Sequence, residues 1–312
     1  MLKRQKIINY LLISYLVVIV LFMLSRNMSM TPDRIFVVLL FGAIIVGRGK
    51  LFLRDWTPFI ALLIGYELVR GFADTAGFKI HISELVNTEK ALFGFIPTVE
   101  LQQRFFNPAK IAIWDFLAVI IDFLHFLLPL AIAFFLWLKD KKAYWMFVIA
   151  LLTLSFSGFV TYLLYPAAPP WYASQRAGLI SVYKVVDFVV AQIGWGWDFS
   201  RIYNNLNPNQ VAAMPSLHSA YPWLAFLALR NFNKKIGYFF LIYPFLVWIS
   251  VVYLGEHYVI DVIAGIIYAT VVYLTVYHFA QIKRLVRKIV RQVRPLAEKE
   301  ITVAIEKIKQ RR

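Results

Sequence analysis

The 312-residue chain has no cysteine, which excludes a disulfide framework and any thiolate metal site. Charged side chains are also scarce, at 16% of residues, and acids are the scarcer sign, 17 against 33 bases. With so few acids there is no carboxylate cluster of the kind that holds hard cations. Three of the five histidines, His81, His125 and His278, are scattered along the chain, so no histidine metal cluster is expected. What fills the chain instead is apolar: hydrophobic residues make up 61% and mean hydropathy is +0.67, far above an ordinary soluble domain. The expectation is an all-α, polytopic membrane protein.

Apolar runs give about eight candidate spans, at 7–24, 35–47, 56–70, 112–138, 143–165, 215–229, 236–254 and 257–280. The 35–47 and 215–229 runs are short for a bilayer, so tilt, local thinning or extension into flanking polar residues is expected there. Lys3, Arg4 and Lys6 precede the first run, but no small-residue cleavage site follows near Ser25, and the run reads as a retained helix. Three parts follow: N-terminal spans over 1–55, a transmembrane catalytic unit over 56–280, and a basic tail over 281–312.

Basic residues set the expected orientation. A cytoplasmic N-terminus places Lys3, Arg4 and Lys6, then Arg48, Lys50 and Arg54, then Lys139, Lys141 and Lys142, then Arg230, Lys234 and Lys235 all inside. The long connections, about 71–111 and 166–214, then lie outside. Residues 283–312 carry eleven Lys or Arg against three Glu, half of the net charge of +16. Beneath those charges Ile282, Leu285, Val286, Ile289, Val290 and Val293 recur at helical spacing, the pattern of an amphipathic helix on an anionic leaflet. Nothing beyond the charge itself points to nucleic acid, and oligomeric state is not legible.

Two short segments carry ionisable residues at the ends of apolar runs, where they are costly without a role. His257 and Asp261 are four apart, so on a helix they share a face, and the carboxylate can orient the imidazole and support its charge. That pair is the base-and-orienter half of a nucleophilic site. Pro215 suits the first turn of a helix, which sets Ser216 and His218 near an N-terminus whose free N–H groups favour an anion such as phosphate. Asp122 and His125, in the fourth span, read as a buried structural pair.

Pro215-Ser216-Leu217-His218, followed by Ser250-x6-His257-x3-Asp261, resembles the second and third motifs of the type 2 phosphatidic acid phosphatase superfamily, PSGH and SRxxxxxHxxxD. The likeness is closer to the branch of inositol phosphorylceramide synthase. It rests on Ala212 to Pro222, His257 to Gly265 and the upstream Tyr165 to Tyr172, and it spans roughly 56–280. The resemblance implies a six-helix catalytic core, here with about two extra N-terminal spans, a lipid substrate, and no metal or other cofactor. Two features depart from it. The first motif, KxxxxxxRP, is absent, and Val251 replaces the arginine after Ser250, so Arg176, Lys184 and Arg201 of the outer loop are the candidate phosphate partners.

The expected chemistry is transfer through a phosphohistidine: His257, held by Asp261, attacks phosphorus, His218 protonates the departing oxygen, and Ser216 with the helix N-terminus steadies the non-bridging oxygens. The acceptor is a lipid hydroxyl in a phosphotransferase, or water in a phosphatase of phosphatidic acid or an isoprenoid phosphate. A lipid transporter is the non-enzymatic alternative, and the absence of paired discontinuous segments argues against it. The loop from Tyr165 to Met214, with Trp171, Tyr172, Trp195, Trp197 and Tyr203 and no clear helical period, is expected to lie as a lid at headgroup depth. A plasma-membrane location with the site on the non-cytoplasmic face follows.

The charge pattern predicts that Arg176 and Ser216 share one side of the membrane, opposite Lys141 and Lys234. Single cysteine substitutions, probed with an impermeant thiol reagent on intact cells, should label only the first two positions; labelling of Lys234→Cys would overturn the orientation.

Overall fold

The computed structural model describes residues 32–70, 77–192 and 209–279, with Ser14, Tyr15 and Val18. Most of the first candidate span, Trp195, Trp197, Arg201, Tyr203 and the whole 281–312 tail lie outside the described residues. The named elements are all helices, and four stretches, Ile113–Lys139, Lys141–Leu164, Lys234–Tyr253 and Val259–Tyr277, are long and apolar enough to cross a membrane. The chain is a multi-pass membrane protein.

Helices α1 (Pro32–Ile45) and α2 (Gly49–Arg70) pack as a hairpin, and α2 lies on α6 (Lys141–Leu164). Asp140 ends α5 (Ile113–Lys139) and starts α6 by itself, because its carboxylate accepts from the N–H groups of Lys142 and Ala143 at 2.8 and 3.1 Å. Beside this turn Asp55 of α2 is buried, accepts from Trp137 Nε1 at 2.8 Å and pairs with Lys141. Phe52 and Trp56 stack at 4.8 Å within the same aromatic core as Phe134, Trp137 and Tyr144. A carboxylate in an apolar span is thereby paired and hydrogen-bonded rather than stranded.

The central helix is α9 (Leu217–Phe232), which touches α5, α6, α11 (Ile242–Tyr253) and α12 (Val259–Tyr277). A short helix, α10 (Lys234–Phe240), leads into α11. At 16 residues α9 is about 24 Å long, less than the roughly 30 Å hydrocarbon core. Its shortness has a structural reason: its first turn faces Asp122, nine residues into α5, so the helix starts part-way down the bundle. Pro215 precedes the N-cap instead of occupying the expected first turn, and its peptide bond to Met214 is cis.

The described parts of the 71–111 and 166–214 connections are more ordered than their weak periodicity suggests. They hold α3 (Ser83–Phe93), α4 (Pro97–Phe105), α7 (Pro170–Gln175) and α8 (Val185–Gln192), of which α3 packs on α12, α4 on α11 and α8 on α5. Parallel bridges join His81 to Ala167 and Ala167 to Ala212, so three extended segments fix the approach to Ser216. Glu89 of α3 is fully buried and accepts from the Ile260 N–H at 3.1 Å, satisfying a donor in the first turn of α12.

Among the described residues the most extensive helix contact is between α9 and α12. Ser216 N–H donates to the Asp261 carbonyl at 3.0 Å, and a Cβ added at Gly265 would stand 2.3 Å from both the Ser216 carbonyl oxygen and Ser219 Oγ. Gly265→Ala should therefore wedge the two helices apart and cost about 1–3 kcal/mol, measurable as a lower unfolding temperature in detergent. An unchanged transition would show that this contact is not as tight as described. Burial pushes the Glu89 carboxyl up to about 7 from 4.5. A native value above the unfolded one means that its stabilising contribution is full below the unfolded value and is lost as pH rises through the native one. Glu89→Gln, neutral at every pH, should flatten stability between about pH 5 and 8, whereas an unaltered pH profile would refute the assignment.

Candidate active site

Each of the two histidine motifs sits at a helix N-terminus for a local reason. Ser216 Oγ caps α9, accepting from Ser219 N–H at 3.2 Å, while Ser219 Oγ donates back to the Ser216 carbonyl at 2.8 Å. Tyr162 OH donates to the Pro215 carbonyl at 2.6 Å and holds the approach from α6. At α12 the Asp261 carboxylate accepts from the Tyr258 N–H at 2.9 Å. Helix α12 begins at Val259, so His257 lies just outside it and not on its face as the four-residue spacing suggests. The backbone turn still brings His257 Nδ1 within 3.6 Å of Asp261 Oδ2.

These two termini place His218 Nδ1 2.7 Å from His257 Nε2. One ring nitrogen of His257 thus faces the carboxylate and the other faces the second histidine. Asp261 is completely buried and the His257 side chain is 4% exposed, whereas His218 is 12% exposed. The site is closed around His257 and opens at His218.

Asp122 and His125 of α5 belong to the same cluster. Asp122 Oδ1 lies 4.0 Å from His218 Nε2 and 3.6 Å from His125 Nδ1, and the rings of His125 and His218 are 4.0 Å apart at their centroids. The expectation of a separate structural pair is incomplete: the pair is buried, as expected, but it forms one wall of the site. Its signal in the sequence was an acid and a histidine at i, i+3 in an apolar span; what it faces could come only from the packing of α5 against α9. Donor atoms of Asp122, His125 and His218 all lie within 4.8 Å of one another, close enough to hold a metal ion, so these histidines are less scattered in space than in sequence.

Segments of the 71–111 and 166–214 connections brace the turn before His257. Trp171 N–H donates to the Gly255 carbonyl at 3.0 Å, Val185 N–H to the Leu254 carbonyl at 3.2 Å, and the Gln102 amide to the carbonyls of Tyr183 and Tyr253 at 2.9 and 2.8 Å. Sequence reasoning assigned no role to Gln102 or Glu89. Of the candidate phosphate partners, Arg176 is exposed at the end of α7 and Arg201 lies outside the described residues. Lys184 is buried, with its ammonium 4.7 Å over the Trp171 ring. Glu256, beside His257, is buried too, and burial pushes its carboxyl above the ordinary range, with Lys184 and His257 opposing the shift.

Residues 83–275, which contain every one of these clustered side chains, match the PAP2 superfamily. The chain is 29% identical over 227 residues to phosphoinositol dihydroceramide synthase of Bacteroides thetaiotaomicron, covering 67% of this chain and 71% of that protein. It is also 32% identical over 98 residues to an uncharacterized protein of Methanocaldococcus jannaschii, 31% of this chain and 40% of the other. No solved structure gives a significant match. With more than half of its length matched and both histidine motifs inside the match, the chain belongs to the PAP2 superfamily, as a membrane lipid phosphotransferase or phosphatase.

Proposed function

We propose that the protein transfers a phospho-headgroup from a phospholipid to the hydroxyl of a second lipid through a phosphohistidine on His257, with the site on the non-cytoplasmic face of the plasma membrane. The observation that carries this reading is the 2.7 Å approach of His218 Nδ1 to His257 Nε2 with Asp261 behind His257. With the Nδ1 proton directed at Asp261, His257 Nε2 carries the lone pair that attacks phosphorus once the donor displaces its 2.7 Å contact with His218. The N–P bond forms as the P–O bond to the donor lipid breaks, and His218 gives its proton to that departing oxygen. In the second half the acceptor hydroxyl returns a proton to His218 as its oxygen takes the phosphorus and the N–P bond breaks.

Asp261 balances the positive charge that grows on His257. Ser216 acts by capping α9, so that a helix N-terminus meets the phosphoryl oxygens, and Lys184, whose charge acts on Glu256 beside His257, is the candidate cation at that turn. Arg176 and Arg201 remain candidate phosphate partners. Two features favour a lipid acceptor over water. A phosphorylated His257 is sheltered from solvent by its burial, and the Bacteroides relative is named a synthase. On that relative's name, an inositol phosphate headgroup and a dihydroceramide acceptor are the pair to test first.

Purified protein should move the headgroup of phosphatidylinositol onto a ceramide-type acceptor and release little free phosphate from phosphatidic acid or an isoprenoid diphosphate; free phosphate as the main product would make it a hydrolase. His257→Ala should abolish turnover, and Asp261→Asn should lower it strongly without unfolding the protein. His218→Ala should slow the first step by about 10²–10⁴-fold and spare a p-nitrophenyl ester of the headgroup, whose leaving group needs no proton. Phosphorus-labelled donor quenched in alkali should leave label on His257. Label on His218 would reverse the roles, and turnover without any covalent label would mean direct displacement.

A further inference from the structure

His218 stands between two imidazoles. On one side is His257, and on the other the His125 ring at 4.0 Å with Phe126 at 5.9 Å between centroids. Its two nitrogens are correspondingly divided: Nδ1 faces His257 Nε2 at 2.7 Å, and Nε2 faces Asp122 Oδ1 at 4.0 Å. No acid lies three or four residues from His218 in its own chain segment, where Met214, Pro215, Tyr221 and Pro222 stand. The carboxylate that His257 takes from its own segment must therefore reach His218 from another helix, and α5 supplies it. Asp122 is 1% exposed in the middle of a strongly apolar span, where an acid is costly without a partner that uses it. His125 accompanies it one turn on, its Nδ1 against the Asp122 carbonyl and 3.6 Å from the Asp122 carboxylate.

The four groups form a line: Asp261, His257, His218, Asp122. Each imidazole presents one nitrogen to the other ring and its second nitrogen to a carboxylate. For His257 this suits a nucleophile that gains positive charge when it bonds to phosphorus. For His218 it suits an acid that must be charged before the first step and again after the second.

We propose that Asp122, held by His125, is the positioning carboxylate of His218, keeping that ring turned toward the leaving oxygen and in its proton-bearing form. The assignment rests on the phosphotransfer reading above and adds a second carboxylate to it. Asp122 takes no proton itself: the proton leaves His218 Nδ1 for the donor lipid's oxygen and returns there from the acceptor hydroxyl, while Asp122 compensates the charge at Nε2.

The test is leaving-group dependence combined with a double-mutant cycle. Asp122→Asn should lower kcat on the lipid donor by about 10²-fold, with KM nearly unchanged, and should alter turnover of the p-nitrophenyl ester by less than about threefold. Asp122→Glu should restore part of the loss. In a His218→Ala background, Asp122→Asn should cost nothing further, because the group it serves is gone. His125→Gln should show the same leaving-group pattern in weaker form, which keeps the test decisive if Asp122→Asn does not fold in detergent.

Equal loss on both substrates, or additive losses in the double variant, would overturn the proposal while leaving the phosphohistidine reading intact. A wild-type protein with no label on His257 would instead remove the reading on which it rests. Loss of all turnover on dialysis against a chelator, with recovery on adding zinc, would assign Asp122, His125 and His218 to a metal and overturn the proton-positioning role.

Discussion

The site depends on the contact between the first turns of α9 and α12. Two helix N-termini are not natural neighbours, since each carries partial positive charge and unsatisfied N–H groups. Here they are brought together by internal satisfaction of those groups. The Ser216 N–H goes to the Asp261 carbonyl, the Ser219 N–H to Ser216 Oγ, and the Tyr258 N–H to the Asp261 carboxylate. The missing side chain at Gly265 supplies the clearance. Asp261 therefore has two roles on one residue: its backbone oxygen holds α9, and its carboxylate holds both the start of α12 and His257.

Around that contact the structure manages polar groups in an apolar setting by pairing them across helices. Asp55 meets Trp137 and Lys141 beside the α5–α6 turn; at the other end Asp115 accepts from Tyr253, and Glu89 from Ile260. Each joins elements far apart in sequence, and each would be a liability if its partner were absent. Helix α4 adds rigidity in the same way, since its Gln102 reaches two carbonyls from segments that flank the His257 turn. A histidine outside its helix can then keep a fixed direction.

Much of this was legible in the sequence where chemistry and spacing coincide. His218, His257 and Asp261 stood out because ionisable residues at the ends of apolar runs need a reason, and the all-helical, multi-pass architecture followed from hydropathy. Local detail went astray where spacing alone was read as helix: His257 and Pro215 both precede the helices they were expected to open. The weakly periodic 165–214 loop concealed α7 and α8, because six or eight residues are too few for a period to register. Asp122 and His125 were visible as a pair, but their relation to His218 depends on where α9 starts along α5. Of the cations chosen by proximity in sequence, Arg176 is exposed and Lys184 is buried against Trp171, a division that loop composition does not encode.

The missing first motif and the valine at position 251 bear on how phosphate charge is met. Val251 is fully buried, and its carbonyl accepts from the N–H groups of Glu256 and His257 at 3.1 and 3.2 Å, so this position shapes the turn through its backbone. An arginine side chain there would have to leave a packed apolar cluster that also holds Val247, Val252 and Val262. Under the proposed function, the burden of compensating phosphate falls on α9's N-terminus, on His218 and on Lys184. Of these His218 is itself a reacting group. In that reading the site binds an anion best when His218 carries its proton, which ties phosphate recognition to readiness for the first proton transfer.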